Sequence, residues 1–428
     1  MHTDYKRAGW IANTSIYEVN IRQYSPEGTF NAFTKALPRL QDMGVEVLWF
    51  MPVHPIGKIN RKGSLGSYYS ISDHRGINPE FGTAADFKDL VNQAHALGMK
   101  VIMDWVANHA SWDHVWTKDH PEYFERDEQG NFIAPYDWND VIQIDHSNIG
   151  EQDAMIAAMQ YWVTDFDIDG FRADLAHLTP LPFWKKARTA IEPLKQDLFW
   201  LAETEEISYH GVFDASFTWE WMHITENFYK GQVNLNRLYD VLARYDTDFP
   251  ATAYRMYFTS NHDENTWNGT EYEKYGDMAK ALAVFSCTWN GIPMIYSGQE
   301  MPNQKRLQFF DRDPVAWTGE FGLHDFYKTL LELHKQNPAL RAADAAVSTF
   351  HILTEGSANS MAWLRKNEQD EVLVFLNLSK ETTGLVIKDR LVQGTYLNVF
   401  DKTSIYLAPE GYIKMQPWEY LVLVKIKE

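Results

Sequence analysis

Acidic, imidazole and guanidinium side chains in this 428-residue chain gather at the ends of short apolar runs. DWVANH offers Asp104, Asn108 and His109; GFRAD offers Arg172 and Asp174, with His177 close behind; LAETE offers Glu203; TSNHDEN offers His262 and Asp263. Two carboxylates facing one another are what cleavage of a glycosidic bond requires. One donates a proton to the leaving oxygen, and the other serves as nucleophile or base below the anomeric carbon. Nothing in the sequence fixes their separation, so retention and inversion both stay open at this point. Arg172, two residues before Asp174 on an extended run, shares its face and is expected to keep that carboxylate ionised, as a nucleophile needs. Glu203 as an acid needs the opposite, a raised pKa, which the apolar stretch Phe199–Ala202 could provide. Taken singly, a strand-end acid is more often an ion-pair partner or a helix cap, a lone histidine is usually a satisfied core group, and Glu203 could belong to a solvated run with Glu205 and Glu206. The argument rests on their convergence.

The elements that must position these groups alternate. Strand-like apolar runs at 16–21, 45–50, 101–105, 170–173, 198–202, 212–216, 256–260 and 293–296 are separated or followed by helix-like stretches at 30–43, 83–97, 151–165, 181–190, 235–245, 277–287 and 324–336. Alternation of this kind means βαβ units and a parallel sheet. Eight strands favour a closed (β/α)8 barrel in an α/β fold, whose active site lies at the C-terminal strand ends. A doubly wound nucleotide fold would want a glycine fingerprint after its first strand, and here that strand runs into RQYSPEGTF. Two departures from a plain barrel stand out. About forty residues separate the third strand from the next helix, far beyond an ordinary connection. They carry Trp112, Trp116, Tyr123, Phe124, Tyr136 and Trp138 and read as a small inserted lobe over the barrel mouth. After residue 343 the runs SMAWLRK, EVLVFLNLS and EYLVLVKIKE alternate with period two, as in a C-terminal antiparallel β domain. The expected division is a barrel from 1–109 and 151–343, a lobe from 110–150 and a sandwich-like β domain from 344–428.

Composition narrows the partners. Lys and Arg number 39 against 58 Asp and Glu, a net charge of −19, which argues against nucleic acid and against an anionic membrane surface. The single cysteine, Cys287, excludes an internal disulfide and reads as a small buried apolar residue. No apolar run approaches the ~18 residues that span a bilayer, so no membrane insertion is expected. The start, MHTDYKRAGW, has no apolar stretch of a signal peptide, which fits a cytoplasmic protein or an exported one whose leader has been removed. Oligomeric state is not legible. Aromatic residues make up 14 %, including 16 tryptophans, and flat rings serve either a core or the apolar face of a sugar. Trp138, Trp219, Trp221 and Trp267 fall on the expected substrate side, Trp10, Trp49 and Trp162 in the core. Asp311 or Arg312 of FFDRDPVAW is expected near the far end of a bound sugar.

In order and spacing, DWVANH, GFRAD, LAETE and SNHD resemble the four strand-end signatures of the α-amylase family, glycoside hydrolase family 13. GSYYSISDHRGINPEFGT is similar to that family's substrate-ring tyrosine segment, and IPMIYSGQE to its eighth strand. The resemblance covers about residues 10–340, and the lobe and β tail match the family's usual accessory domains. It implies Asp174 as nucleophile, forming a covalent glucosyl-enzyme, Glu203 as general acid and then base, and Asp263 as a sugar-hydroxyl ligand that stabilises the distorted state. It implies Arg172 holding Asp174, His109 and His262 bonding the same sugar, and Tyr69, four residues before Asp73, stacking on it. The family is retaining. The implied activity is hydrolysis of α-1,4-glucosidic bonds in maltooligosaccharides or starch. The alternatives are a transglycosylase or isomerase using the same intermediate, or a non-catalytic sugar-binding homologue.

The departures concern metal and subfamily. Many members follow the nucleophile with a Lys-His pair whose histidine helps a calcium site; here Leu178 stands at that position and His177 comes one residue early. QIDHSN puts Gln143 where an aspartate would ligate calcium, leaving Asn108 the only retained candidate. Calcium wants six to eight oxygens with carboxylates among them, so no cofactor is expected to be required. DLAHLTPLPFW resembles the maltogenic amylase and cyclomaltodextrinase branch, without the N-terminal β domain usual there.

Overall fold

Runs such as Val47–Phe50 and Phe199–Ala202 are buried along their whole length, which is possible only for strands covered on both faces. The computed structural model describes residues 5–427; Met1 to Asp4, the start of the segment read above for a leader, and Glu428 lie outside the described residues. Eight such strands pair in parallel: β1 (Ile16–Val19), β2 (Val47–Phe50), β3 (Lys100–Trp105), β4 (Gly170–Ala173), β5 (Phe199–Ala202), β6 (Ala215–Phe217), β7 (Tyr254–Tyr257) and β8 (Ile292–Tyr296). Each pairs with its sequence neighbour, and β8 closes on β1 with Met294 opposite Ile16. This is the (β/α)8 barrel expected from the alternation.

Strand parity then decides what fills the barrel. Ile16, Val47, Trp49, Ile102, Phe199, Leu201, Phe217, Met256 and Met294 form the interior cluster, while Tyr17, Leu48, Phe50, Val101, Met103 and Trp200 face the helices. Because side chains alternate along a strand, Glu18, Asp104, Arg172 and Glu203 share the interior parity of Ile16, Ile102 and Leu201. They form a polar layer on top of an apolar plug. Asp104 and Arg172 are direct partners in the β3–β4 register.

The helical layer follows its local signals. Thr83 and Asp86 make a capping box at the start of Ala84–Ala96, and Asn148 caps Ile149–Phe166. The single helix expected at 30–43 is instead two, Phe30–Thr34 and Leu37–Met43, because Pro38 fits the first turn of a helix but not its interior. A helix at Trp219–Tyr229 was not expected from the sequence. It takes Trp221 away from the substrate side: the ring is 2 % exposed and stacks on Phe285 with centroids 4.2 Å apart. Trp219 packs beneath the mouth against Phe217 and Phe258. Trp49 and Trp162 are fully buried, and Trp10 is partly buried against Phe199.

After β3 the chain forms a two-stranded ribbon, His109–Ser111 paired with Val141–Gln143, at the base of the lobe. Tyr123 and Phe124 fill the lobe's interior. Beyond helix His324–Gln336 come a six-stranded and a three-stranded antiparallel sheet. Leu364, Leu373, Phe375 and Leu423 meet Leu385, Ile413 and Met415 of the smaller sheet. The opposite face, with Trp363, Val374 and Val422, joins the main core beside Phe285 and Trp289. No helix among the described residues is long and apolar enough to cross a membrane.

Gly170 opens β4 with φ +154°, and a Cβ there would press into the Phe199 backbone of β5. Gly170→Ala is expected to push β4 from β5 and cost on the order of 3 kcal/mol, read as a lowered Tm with weakened activity. An unchanged Tm would show that the strand pair tolerates the methyl group.

Candidate active site

Arg172 is fully buried beneath the barrel mouth. Its Nη1 donates to Asp104 Oδ1 at 2.7 Å and to Asp174 Oδ1 at 2.8 Å, and its Nη2 lies 2.9 Å from Glu203 Oε2. One guanidinium therefore gathers carboxylates from β3, β4 and β5. Trp49 and Phe217 cover it from below, with its Cζ 4.9 and 5.4 Å from their ring centroids. Glu203 Oε2 also accepts the Leu175 N–H at 2.8 Å, and the Asp174 N–H donates to the Trp105 carbonyl.

A second chain of bonds crosses the mouth. His262 Nδ1–H donates to Glu18 Oε1 at 2.5 Å and its Nε2–H to the Tyr69 hydroxyl at 2.8 Å; the Tyr69 O–H donates to Asp104 Oδ2 at 3.0 Å. Asp263 Oδ2 stands 3.4 Å from His262 Nε2. Burial alone would neutralise His262, but Asp263 and Glu18 outweigh it and raise its pKa to about 9, so the ring is an imidazolium with two donors. Tyr69, His262 and Phe309 form a triangle of rings, with centroids 5.4, 6.3 and 6.4 Å apart, whereas Tyr68 turns inward against Arg22.

Above this floor is a cavity of about 320 Å³ lined by Asp174, Glu203, Asp263, Tyr69, His109, Trp138 and Trp267. Ten of the sequence-predicted groups, counting the floor residues Arg172 and His262 and the neighbouring Asn108, are thus brought together. His109 is buried with a pKa lowered to about 4, chiefly by that burial, and its neutral ring meets Trp138 edge-on. Trp267 remains 52 % exposed at the rim. His177 is not part of this group: it is exposed on the turn Ala176–Leu178, outside the residues lining the cavity. Asp311 and Arg312 do not line the cavity, the first being bonded to Ser64 and the second lying beside Glu80. Their neighbours Phe309 and Phe310 line the cavity instead. Asn108 is buried, and Gln143 Nε2 donates to both its backbone carbonyl at 2.9 Å and its Oδ1 at 3.1 Å.

Sequence reasoning missed Glu18, which carries the right parity on β1 but ends no recognisable motif, and left Asp104 without a role. It also expected Arg172 to keep Asp174 ionised. Burial is the larger influence and raises Asp174, while the 2.8 Å bond from Arg172 pulls it down as expected; that cation is shared with Asp104 and Glu203. Glu203 is raised from 4.5 to about 7, first by burial and then by the nearby Asp174 and Asp263 charges, against the pull of Arg172.

This has a stability signature. A carboxyl whose folded pKa exceeds its unfolded one contributes stability below the unfolded value and loses it as pH rises through the folded value, here between about 4.5 and about 7. Glu203→Gln keeps an oxygen for the Leu175 N–H and leaves Arg172 two other carboxylates. The variant is expected to be more stable than the parent by on the order of 3 kcal/mol at pH 8 and under about 1 kcal/mol at pH 5. Melting curves at both pH values measure it; a variant that melts lower at pH 8 would show that Arg172 needs the Glu203 charge.

Known proteins resemble this chain in sequence and in fold. Residues 4–143 and 127–313 match the family model for the α-amylase catalytic domain. The α-amylase MalA of Haloarcula japonica is 28 % identical over 397 residues, 89 % of this chain and 57 % of its own. An α-1,4-glucan:maltose-1-phosphate maltosyltransferase of Rhodospirillum rubrum is 28 % identical over 79 % of this chain and 53 % of its own. The chain thus spans a little over half the length of these two relatives. Among solved structures, the maltogenic α-amylase AmyB of Thermotoga neapolitana superposes with a TM-score of 0.90 at 31 % identity, covering 97 % of this chain and 99 % of AmyB. With its catalytic-domain match running through the barrel and the lobe, the chain belongs to the α-amylase family of glycoside hydrolases, family 13.

Proposed function

We propose that the protein hydrolyses α-1,4-glucosidic bonds in maltooligosaccharides or starch fragments by double displacement with retention. The observation that carries this is the sharing of one guanidinium by Asp174 and Glu203, with Asp263 on the same cavity. A single group reaching both carboxylates favours the ~5–5.5 Å spacing of retaining pairs over the wider spacing that leaves room for a water. Asp174, which takes the direct Arg172 hydrogen bond, carries the charge, and Glu203, raised by burial, carries the proton and donates it to the glycosidic oxygen. Asp174 attacks the anomeric carbon as the C–O bond to the leaving sugar breaks, and the product is a glucosyl ester. The Glu203 carboxylate then takes a proton from water, whose oxygen displaces Asp174 and regenerates the α-configured end. Tyr69 stacks on the sugar, His109 bonds its hydroxyls, the His262 imidazolium braces the Tyr69 hydroxyl and Glu18 beneath it, and Asp263 bonds hydroxyls on the distorted ring.

A second reading, glycosyl transfer to a sugar acceptor, draws support from the maltosyltransferase similarity and from Trp267, an exposed ring at the rim where an acceptor could stack. The non-catalytic reading requires loss of one of the three carboxylates, and Asp174, Glu203 and Asp263 are all present.

Calcium does not fit the Asn108 position. The two oxygens that would face the ion accept from the Gln143 amide, and no cluster of three His, Cys, Asp or Glu groups suited to a metal occurs among the described residues. The amide N–H groups do there what a cation would do, drawing the lobe's return strand to the end of β3.

Asp174→Asn is expected to lower kcat on maltoheptaose by about four orders of magnitude or more with the fold retained; near-normal turnover would overturn the nucleophile assignment. Because the acid must carry its proton, kcat/KM should fall as pH rises through about 7, and an alkaline limb two units higher would point to another proton donor. Activity should survive a calcium chelator. Loss on chelation with recovery on added calcium would contradict the fit drawn at Gln143.

A further inference from the structure

One contact at the cavity wall plays no part in the chemistry above. Lys62 Nζ lies 2.8 Å from Asp140 Oδ1, and both side chains line the cavity that holds Asp174, Glu203 and Asp263. Lys62 belongs to the segment between β2 and helix Ala84–Ala96, Asp140 to the inserted lobe, so the pair joins two parts of the chain at the cavity wall.

Both sides are anchored. The Ser64 N–H and O–H donate to Asp311 Oδ1 at 2.9 and 2.5 Å, and the Leu65 N–H donates to the Phe310 carbonyl at 3.0 Å, which ties the Lys62 loop to the loop after β8. Arg61 folds back on the carbonyls of Gly57 and Ile56 and stiffens the loop. On the lobe side, Ser70 Oγ donates to the Asp140 carbonyl at 3.0 Å, and the Lys58 N–H donates to Asp113 Oδ2 at 2.9 Å.

Place in the barrel gives this contact its meaning. Glu203, as proton donor, faces the leaving oxygen, so the departing sugars run out over the β5 side. The Lys62 loop follows β2, on the far arc of the ring, and Asp140 sits by Tyr69 and His109 on that arc. The non-reducing end of a bound chain therefore points toward Lys62 and Asp140. An ion pair at such a rim is weak by itself, but it presents one cationic donor and one anionic acceptor together, a match for adjacent hydroxyls of a terminal sugar.

We propose that the Lys62–Asp140 pair closes the cleft at the non-reducing side and receives the terminal sugar's hydroxyls, so that the enzyme acts from α-glucan chain ends. This rests on the hydrolase reading. A chain continuing past the pair, or an end whose hydroxyls are tied in an acetal, meets a wall and offers the pair no free hydroxyls.

The test compares p-nitrophenyl maltoheptaoside with a free non-reducing end and with that end blocked as a 4,6-ethylidene acetal, following products by chromatography. The parent enzyme is expected to favour the free end by at least about tenfold in kcat/KM, Lys62→Ala to narrow this to within about threefold, and Lys62→Arg, which keeps the cation, to retain it. Equal cleavage by the parent, or an undiminished preference in Lys62→Ala, overturns the proposal. Failure to cleave even the free-ended substrate sinks the hydrolase reading instead. The end-recognition claim is then decided by calorimetry of free and blocked maltoheptaose on Glu203→Gln: tighter binding of the free end, lost with Lys62→Ala, supports it, and equal binding overturns it.

Discussion

Burial of a single guanidinium organises this barrel's mouth. Arg172 is wholly withdrawn from water, and a buried cation left without partners would cost several kcal/mol. Asp104, Asp174 and Glu203 supply them. The arrangement over-compensates: Glu18, Asp104, Asp174, Glu203 and Asp263 surround two cations, Arg172 and His262. Burial, with the neighbouring acids adding to it, raises Asp104, Asp174 and Glu18 and takes Glu203 to about 7. The proton that the proposed acid role of Glu203 needs near neutral pH is favoured in this way by burying three acids around one arginine. Stability is given up at the same place, since each of these carboxyls is held where its charged form is disfavoured.

The barrel makes such a shared cation possible. Parallel strands in register place Asp104 beside Arg172, and the next interior position beyond Arg172 is Asp174. Below them Trp49 and Phe217 present their rings to the guanidinium. Trp49 Nε1–H also donates to Asp104 Oδ2 at 3.2 Å, so the ring is both cover and hydrogen-bond donor. The apolar plug of the barrel and the polar layer above it are one packed unit, and a strand shift that moved one acid would unpair the others.

This much was legible in the sequence because strand parity is legible. Acids and histidines at the ends of short apolar runs fall on one face of one barrel end, and the alternation of runs gave the barrel itself. What escaped was set by tertiary pairing. The Trp219–Tyr229 helix lacks a start signal stronger than Thr218, and its Trp221 is hidden only because Phe285 arrives from another helix. The Arg172–Asp174 bond was legible from spacing, but burial and the other acids that share the cation were not. Phe309 and Phe310 were passed over for the charged residues beside them, yet it is the rings that line the cavity, while Asp311 is occupied with Ser64. Lys62 stands in a loop with no periodicity, and only the fold brings it to Asp140.

The lobe is fastened to the barrel on the opposite electrostatic principle. His54, His74 and His114 are buried together, with His74 against Trp105 and Trp116. The Trp116 N–H donates to His114 Nδ1, so His114 Nε2–H donates to His74 Nδ1 at 3.0 Å, and His74 Nε2–H donates to the Val106 carbonyl at 2.8 Å. Each bond fixes the tautomer of the next, and the whole run is uncharged: burial lowers His54 to about 3 and His74 to about 4, and takes His114 well below its ordinary value. The relay begins in the lobe, passes through the loop that carries Tyr69, and ends at Val106 in the segment that carries His109. A charged joint there would have added its field to a mouth whose proton affinity is set by a fine balance of charges. Neutral imidazoles provide direction and rigidity without that field, so the lobe holds Trp138 and Asp140 at the rim while Arg172 and His262 are left to arrange the acids beneath.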